Sequence, residues 1–162
     1  MSELLAPILS HEELSDFAVI TRSRGSKLIL ANGCFDLIHA GHIRYLIGAK
    51  SLGGTLLVAI NSDEQVRKLK GNSRPVVSQN ERAEVVAAFR CVDAVTIFDQ
   101  PTVAEIIRLV RPDFHAKGTD YTTGTVPERD IVRECGGEVA IVGDPKDHSS
   151  SILFATLRRG SV

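Results

Sequence analysis

The stretch that decides the fold reads Gly33-Cys-Phe-Asp-Leu-Ile-His-Ala-Gly-His42. It follows an apolar run, Leu28-Ile-Leu-Ala31, and precedes Ile43-Arg-Tyr-Leu-Ile47, whose apolar residues have helical spacing. The pattern predicts a buried strand that leads through a loop into a helix, with two histidines at the start of that helix. Helix N-termini carry unpaired N–H groups and a partial positive charge, so this segment is typical of a phosphate-binding site.

Strand-like and helix-like segments alternate along the rest of the chain. Strands are predicted near residues 27–32, 55–60, 94–98, 114–116 and 138–142. They are separated by helical segments with capping signals. The strand at 55–60 is rich in Leu and Val on both faces, as parallel strands are. The sequence therefore predicts an α/β fold, a Rossmann-like five-stranded parallel sheet flanked by helices. Residues 1–26 are interpreted as an N-terminal helical extension and residues 27–162 as the main domain.

The composition excludes several classes of protein. A net charge of −1 over 162 residues gives no basic field for a nucleic-acid partner. No segment is long and apolar enough to span a membrane, and the N-terminus lacks the basic stretch of a signal peptide, so no membrane partner and a cytoplasmic location are expected. The three cysteines are widely spaced and form no Cys-x-x-Cys pair, which predicts reduced thiols rather than a zinc site or disulfides.

Polar segments are expected to meet at one edge of the predicted sheet. Ligands of such sheets bind beyond the carboxyl ends of the strands. The loops expected there include 32–41, 117–125 and 143–149. The second loop begins with Lys117-Gly-Thr-Asp-Tyr121, and the third leads into Ser149-Ser-Ser151. Three segments that are distant in sequence should thus form one active site.

The pattern Gly-x-Phe-Asp-x-x-His-x-Gly-His resembles the signature of the nucleotidyltransferase superfamily, which includes cytidylyltransferases and small adenylyltransferases. In that chemistry a phosphate oxygen attacks the α-phosphorus of a nucleoside triphosphate, and pyrophosphate leaves. The protein must hold two anions together and stabilise their charge, and it needs no general base. The expected cofactor is Mg²⁺ bridging the ATP phosphates, with no dedicated metal site on the protein. The alternative is that His39 only caps a turn and His42 is a partly exposed helix residue.

The resemblance implies roles for particular residues. The expected catalytic residues, in contact with the triphosphate and the reacting phosphorus, are His39, His42 and Lys117. The expected nucleotide-binding residues are Gly33, Cys34, Phe35, Asp36, Gly41, Gly118, Asp120, Ser149, Ser150 and Ser151. The expected residues for the second substrate are Asn61, Asp63, Lys70, Arg74 and Arg82.

Several of these residues also have purely structural interpretations. Cys34 is interpreted as a small packing residue within the motif, because the chemistry needs no thiol. The serines at 149–151 could be only a helix N-cap. Asp36 either caps its loop or orients a histidine or a metal-bound water. For Arg74, which could face the acceptor phosphate, and for Arg82, surface ion pairing is the alternative.

Later segments indicate one branch of the superfamily. Lys-Gly-Thr-Asp-Tyr at 117–121, Gly-Gly-Glu-Val at 136–139 and the serine motif resemble the D-glycero-D-manno-heptose 1-phosphate adenylyltransferases. Thr119 and Ser150 are mild departures from the usual pattern of that branch. Glycerol-phosphate cytidylyltransferases place an arginine shortly before the serine motif, where this chain has Asp144-Pro-Lys-Asp-His148, and that difference weakens the cytidylyl alternative.

The resemblance implies an enzyme that transfers AMP from ATP to a sugar 1-phosphate, giving an ADP-sugar and pyrophosphate for bacterial surface glycan. A homodimer is the family-level expectation, and a separate sugar kinase would have to supply the sugar 1-phosphate. Two alternatives stay open. One is a CTP-dependent cytidylyltransferase acting on glycerol 3-phosphate or another polyol or sugar phosphate. The other is a non-catalytic nucleotide-binding regulator on the same scaffold.

Overall fold

Six parallel strands form the sheet at the centre of the fold. In the computed structural model, residues 4–145 and 150–159 are described, except for the side chains of residues 150, 151, 158 and 159. The strands are β1 (Ile8–Leu9), β2 (Leu28–Gly33), β3 (Thr55–Asn61), β4 (Ala94–Phe98), β5 (Phe114–Lys117) and β6 (Glu138–Ile141). The helices are α1 (Glu13–Ser23), α2 (Ala40–Lys50), α3 (Asp63–Lys70), α4 (Gln79–Ala87), α5 (Ala104–Val110), α6 (Arg129–Glu134) and α7 (Ser150–Arg159). The predicted α/β class with a parallel sheet is confirmed.

The sheet has six strands rather than the predicted five. The additional strand, β1, lies at one edge and pairs in parallel with β4, with Ile8 opposite Val95 and Leu9 opposite Thr96. A two-residue strand is too short to show an alternating pattern, so periodicity could not identify it. The segment predicted as a helical extension therefore contributes both this strand and α1 to the layers of the sheet.

The two faces of β2 explain why both sides of the sheet are covered. Successive strand residues point to opposite faces. Ile29 and Ala31 belong to one buried cluster, which the α2 and α4 side chains complete, whereas Leu28 and Leu30 belong to a second cluster with residues of α1 and α5. All four residues have no exposed surface. The continuous apolar run of this strand is thus the consequence of helices packing on both faces.

The strand order places a crevice beside β2. The sheet runs β1-β4-β3-β2-β5-β6, so the chain proceeds from β2 to β3 and β4 on one side, then crosses to β5 and β6 on the other. The loops that follow β2 and β5 therefore diverge at the carboxyl ends of these two neighbouring strands. Such a switch point is where open α/β sheets bind ligands.

Candidate functional site

A cleft of ≈ 450 Å³ lies at this switch point. Its wall includes the end of β2, the start of α2, the end of β5 and the segments that follow β5 and β6. The predicted site residues that line it are Gly33, Cys34, Phe35, His39, Gly41, His42, Asn61, Lys70, Lys117, Gly118 and Asp120. The structure thus brings together residues separated by up to 87 positions along the sequence, counting from Gly33 to Asp120.

The two motif histidines stand at the N-terminus of α2. His39 is the N-cap residue, with extended backbone, and its Nδ1 accepts a hydrogen bond from the Gly41 N–H at 3.1 Å. The Nδ1 of His42 accepts in turn from the His39 N–H at 3.3 Å, and the two ring centroids are 4.0 Å apart. Because Nδ1 is the acceptor in both rings, each neutral ring carries its proton on Nε2. The histidines therefore cap the helix and also line the cleft.

Phe35 shapes the loop between the strand and the histidines. Its backbone has φ of 50°, a left-handed conformation that residues other than glycine rarely adopt. Its buried ring lies 5.4 Å from the His42 ring and 6.5 Å from the Tyr45 ring, measured between centroids. A Cβ atom added at Gly33 would lie 3.2 Å from this ring, so glycine gives the ring room to fold back beneath the helix start. Strain of this kind often accompanies functional sites.

Lys117, the last residue of β5, also lines the cleft. Its Nζ lies 3.3 Å from the Asn32 Oδ1, 3.6 Å from the Glu128 Oε2 and 4.8 Å from the centre of the Tyr121 ring. Only 7% of the lysine surface is exposed. A lysine that follows a strand is usually a solvated surface charge, but the Lys117 ammonium group is nearly buried and lines the cleft.

His115 lies beside this lysine, with no exposed surface. Burial, with a further contribution from the Lys117 charge, lowers the pKa of His115 from an ordinary 6.5 to about 3. The ring is therefore neutral throughout the physiological range. Its Nε2 lies 3.0 Å from the Asn32 Oδ1.

We expect His115 to make the protein acid-sensitive. Between pH 6.5 and 3 the His115 imidazole is protonated in the unfolded chain and neutral in the folded chain. The free energy of unfolding therefore falls as the pH drops through that window. Each pH unit well inside that window removes about 1.4 kcal/mol of stability. The measurement is urea unfolding at pH 7.5 and pH 4.5. Between these pH values the free energy of unfolding of His115→Leu should fall by about 2–3 kcal/mol less than that of the wild type. Identical pH dependence in the two proteins would contradict the lowered pKa.

Two residues of the predicted site, Asp36 and Arg74, form a buried ion pair that does not line the cleft. Asp36 forms an ion pair with the Nε of Arg74, and their side chains are 0% and 3% exposed. The second carboxylate oxygen of Asp36 accepts from the N–H groups of Val76 at 2.8 Å and Val77 at 3.1 Å. Neither a cap of its own loop nor an orienting contact to a histidine describes this carboxylate. The Arg74 guanidinium lies in the interior and does not line the cleft, so its contact with the acceptor phosphate stays a prediction.

Arg82 is fully buried and connects three segments. Its Nη1 donates to the Cys34 carbonyl, its Nε to the Val77 carbonyl at 3.0 Å, and its Nη2 to the Asp63 carboxylate at 2.8 Å. The surface ion pair considered for both arginines is therefore not what the structure contains. Asp63 is occupied by this contact and does not line the cleft either. In the structure Arg82 and Asp63 fix the loops around the cleft.

Cys34 and Asn61 lie at the end of the cleft away from Lys117. The Cys34 thiol donates a long hydrogen bond of 3.8 Å to the Asn61 Oδ1. Burial raises the pKa of Cys34, which keeps the thiol uncharged. This agrees with a packing role for the thiol within the motif. Lys70, at the end of α3, lies at the same end of the cleft.

The serine motif is only partly covered by the structure. Ser149 lies outside the described residues. Ser150 begins α7 and Ser151 follows it, as the sequence predicts for a helix start, but their side chains also lie outside the described part of the chain. Phosphate binding by these serines stays a prediction.

Sequence patterns did not single out several residues of the cleft wall. Asn32 is the clearest case, because a polar residue near the carboxyl end of an apolar strand is a signal that could have identified it. Glu128 and Tyr121 stand within segments that resemble the family, yet no motif assigns them a role. Tyr45 donates from its hydroxyl to the Ala116 carbonyl at 2.8 Å and so joins α2 to β5 across the cleft floor.

Two general features of the described residues bear on the function. No cluster of three or more His, Cys, Asp or Glu side chains in residues 4–145 and 152–157 could hold a metal ion. Within the part of the chain that the structure covers, every helix is too short or too polar to cross a bilayer.

Comparison with known proteins gives consistent matches. The model of the cytidylyltransferase-like family matches residues 30–159. A protein from Syntrophotalea carbinolica named bifunctional protein HldE is 46% identical over 131 residues, which cover 81% of this chain and 27% of that protein. The protein of the same name from Koribacter versatilis is 47% identical over 149 residues, covering 92% and 31% of the two chains. This chain thus spans less than a third of the length of these two curated relatives.

A solved structure shares the fold. The lipopolysaccharide core biosynthesis protein from Thermoplasma volcanium GSS1 superposes with a TM-score of 0.63 at 24% sequence identity, covering 75% of this chain and all of that one. At this identity the likeness concerns the fold alone. The family model covers more than half of the sequence and includes both the histidine motif and Lys117. The chain therefore belongs to the cytidylyltransferase-like family, a family of nucleotidyltransferases.

Proposed function

We propose that this chain transfers AMP from ATP to a sugar 1-phosphate, with D-glycero-D-manno-heptose 1-phosphate as the preferred acceptor. The observation that carries the proposal is that two histidine rings, 4.0 Å apart at a helix N-terminus, line the same cleft as Lys117. The resemblance of residues 117–121 and 136–139 to heptose 1-phosphate adenylyltransferases supports the choice of substrates. The similarity to proteins named bifunctional protein HldE supports the coarser proposal of a nucleotidyltransferase in the heptose pathway.

The proposed reaction exchanges one phosphoric anhydride bond for another. An oxygen of the sugar 1-phosphate attacks the α-phosphorus of ATP, and the bond from that phosphorus to the bridging β-phosphate oxygen breaks. Pyrophosphate leaves with the electron pair of the broken bond. The attacking oxygen is already an anion, so the protein need not remove a proton from it. Its tasks are to align two repelling anions and to stabilise the transition state.

The histidines suit the second task. Each Nδ1 is held by a backbone N–H, so the ring orientation is fixed and the Nε2 proton can be donated to phosphate oxygens. The start of α2 adds a partial positive charge at the same place. We propose that His39 and His42 stabilise the α-phosphate in the transition state and that the Lys117 ammonium neutralises phosphate charge in the same cleft.

Magnesium is proposed to enter with the nucleotide. Two acidic side chains of the cleft wall have cationic partners: Glu128 lies against Lys117, and Asp144 accepts from the Arg44 guanidinium at 2.6 Å. The proposal includes no metal site on the protein itself. Bound to the phosphates, the ion would reduce the charge on the triphosphate.

The far end of the cleft is proposed to receive the acceptor. Its wall combines the Asn61 amide, the exposed Lys70 and the Thr102 segment after β4 with apolar atoms of Phe98. A lysine at the mouth favours an anionic substrate, and amide and hydroxyl groups suit the hydroxyls of a sugar. A kinase must form the sugar 1-phosphate beforehand. The expected homodimer stays a prediction that light scattering would test.

We expect ATP with the heptose 1-phosphate to exceed CTP with glycerol 3-phosphate by at least about tenfold in kcat/KM, equivalent to about 1.4 kcal/mol of transition-state binding. The measurement is pyrophosphate release in a matrix of nucleoside triphosphates against sugar and polyol phosphates. A preference for CTP would reverse the assignment within the family. Nucleotide binding without pyrophosphate release from any pair would instead support a non-catalytic regulator.

A further inference from the structure

The buried imidazole of His115 lies close to the cleft and has no role in the proposed reaction. His115 and Lys117 are two residues apart on β5, so their side chains lie on the same face of the sheet. Both reach Oδ1 of Asn32 on the neighbouring strand β2, the histidine Nε2 at 3.0 Å and the lysine Nζ at 3.3 Å. Asn32 itself lines the cleft, whereas His115 lies behind it and does not. The histidine thus contacts a cleft residue from the side of the protein interior.

The lysine determines how the other two groups are oriented. An ammonium group has only donors, so it must meet the oxygen of the Asn32 amide and not its NH₂. The amide oxygen has only acceptor capacity, so His115 must donate to it from Nε2. The imidazole is consequently the neutral Nε2–H tautomer, in agreement with a pKa lowered to about 3. The other end of the planar Asn32 amide is the NH₂ group, which carries two N–H donors. Asn32 is a residue of the cleft wall.

Stability does not account for a histidine at this position. Its Nδ1 is buried and has no hydrogen-bond partner among the described residues. A buried acceptor without a partner is unfavourable, and an apolar side chain of similar size would avoid that loss. The neighbouring Lys117 charge would also repel the ring in its protonated, positively charged form. What histidine provides, and an apolar residue would not, is the donor to Asn32.

We propose that His115 is a positioning residue that holds the Asn32 amide with its NH₂ group toward the cleft, where it donates to a phosphate oxygen of a substrate. The inference rests on the proposed function, since it assigns Asn32 to the binding of a phosphorylated ligand. Two substrates of that reaction carry phosphate oxygens, the nucleotide and the sugar 1-phosphate. The nearby Lys117 contributes the charge, and Asn32 contributes a directed hydrogen bond.

Four proteins test the proposal: wild type, His115→Leu, His115→Gln and Asn32→Ala. Steady-state pyrophosphate release gives kcat and the KM of each substrate, and thermal unfolding gives the melting temperature. We expect His115→Leu and Asn32→Ala each to lower kcat/KM by about tenfold, the effect of one hydrogen bond to a charged group. Glutamine places an amide donor near the position of Nε2, so His115→Gln should recover most of the activity. The melting temperature of His115→Leu should equal or exceed that of the wild type at pH 7.5.

The double variant Asn32→Ala with His115→Leu provides the sharpest comparison. If His115 acts through Asn32, leucine should cause no further loss once the amide is gone. The KM that rises identifies the bound phosphate, nucleotide or acceptor. Wild-type activity in His115→Leu, or an equal further loss in the Asn32→Ala background, would overturn the positioning role. A wild-type protein that releases no pyrophosphate from any substrate pair would instead overturn the proposed function, and calorimetric titration with MgATP would then compare the same variants by affinity.

Discussion

Replacing His39 or His42 with alanine is expected to lower turnover by about 100- to 10,000-fold, as removal of a group that stabilises developing charge does elsewhere. Both rings are fixed through Nδ1, so the Nε2 donors need no reorganisation when the transition state forms. The loss should appear mainly in kcat, because these donors act most strongly on the charge of the transition state. The measurement is single-turnover pyrophosphate release at saturating substrates.

The capping role of His39 requires its own control. His39→Ala also removes the acceptor for the Gly41 N–H and should cost about 1 kcal/mol of stability. His39→Ser retains an N-cap oxygen, so it should restore stability without restoring turnover. His11→Ala is the matched control, since His11 is a half-exposed residue 3.4 Å from Glu105 and outside the cleft wall. Near-normal turnover in His39→Ser would show that His39 is only a helix cap.

The histidine motif was predictable because its information is local. A buried strand, a loop between Gly33 and Gly41 and a helix start follow one another within fifteen residues of sequence. Their order alone places the histidines at the carboxyl edge of the sheet. Lys117 was predictable for a similar reason, since it ends a short apolar strand, and parallel strands end at the same edge.

The buried polar contacts were not predictable in the same way. An arginine in a loop is expected at the surface, because guanidinium groups are rarely buried without a partner. Arg74 and Asp36 are 38 positions apart, and no periodicity connects them. Their pairing depends on the path of the loop after α3, which sequence patterns do not determine. The same limit applies to Asn32 and His115, whose contact crosses from β2 to β5.

The Asp36 contacts connect stability with the active site. Asp36 and Phe35 lie in the loop that delivers His39 to the start of α2. The carboxylate holds the Arg74 guanidinium and two backbone N–H groups of the segment before α4. Arg82 binds the carbonyl of Cys34 in the same loop. Loss of these contacts should therefore affect both the folded state and the placement of the histidine.

Asp36→Ala is expected to reduce the free energy of unfolding by about 3–5 kcal/mol, because it leaves the buried Arg74 charge without its partner. Asp36→Asn keeps an acceptor oxygen for the Val76 and Val77 N–H groups, so its free energy of unfolding should fall less than that of Asp36→Ala. The matched control is Asp130→Ala, whose ion pair with Arg129 at 3.1 Å is solvent-exposed. That change should cost less than about 1 kcal/mol.

Urea unfolding of the four proteins, wild type included, measures these differences, and Asp36→Asn remains measurable if the alanine variant does not fold.

Combining Asp36→Ala with Arg74→Met removes both charges and should cost less than the sum of the single changes, since no unpaired charge then stays in the interior. A loss in Asp36→Ala no larger than in Asp130→Ala would mean that water reaches Arg74. The active-site loop would then owe its conformation to Phe35 and Arg82, and turnover in Asp36→Ala should stay close to that of the wild type.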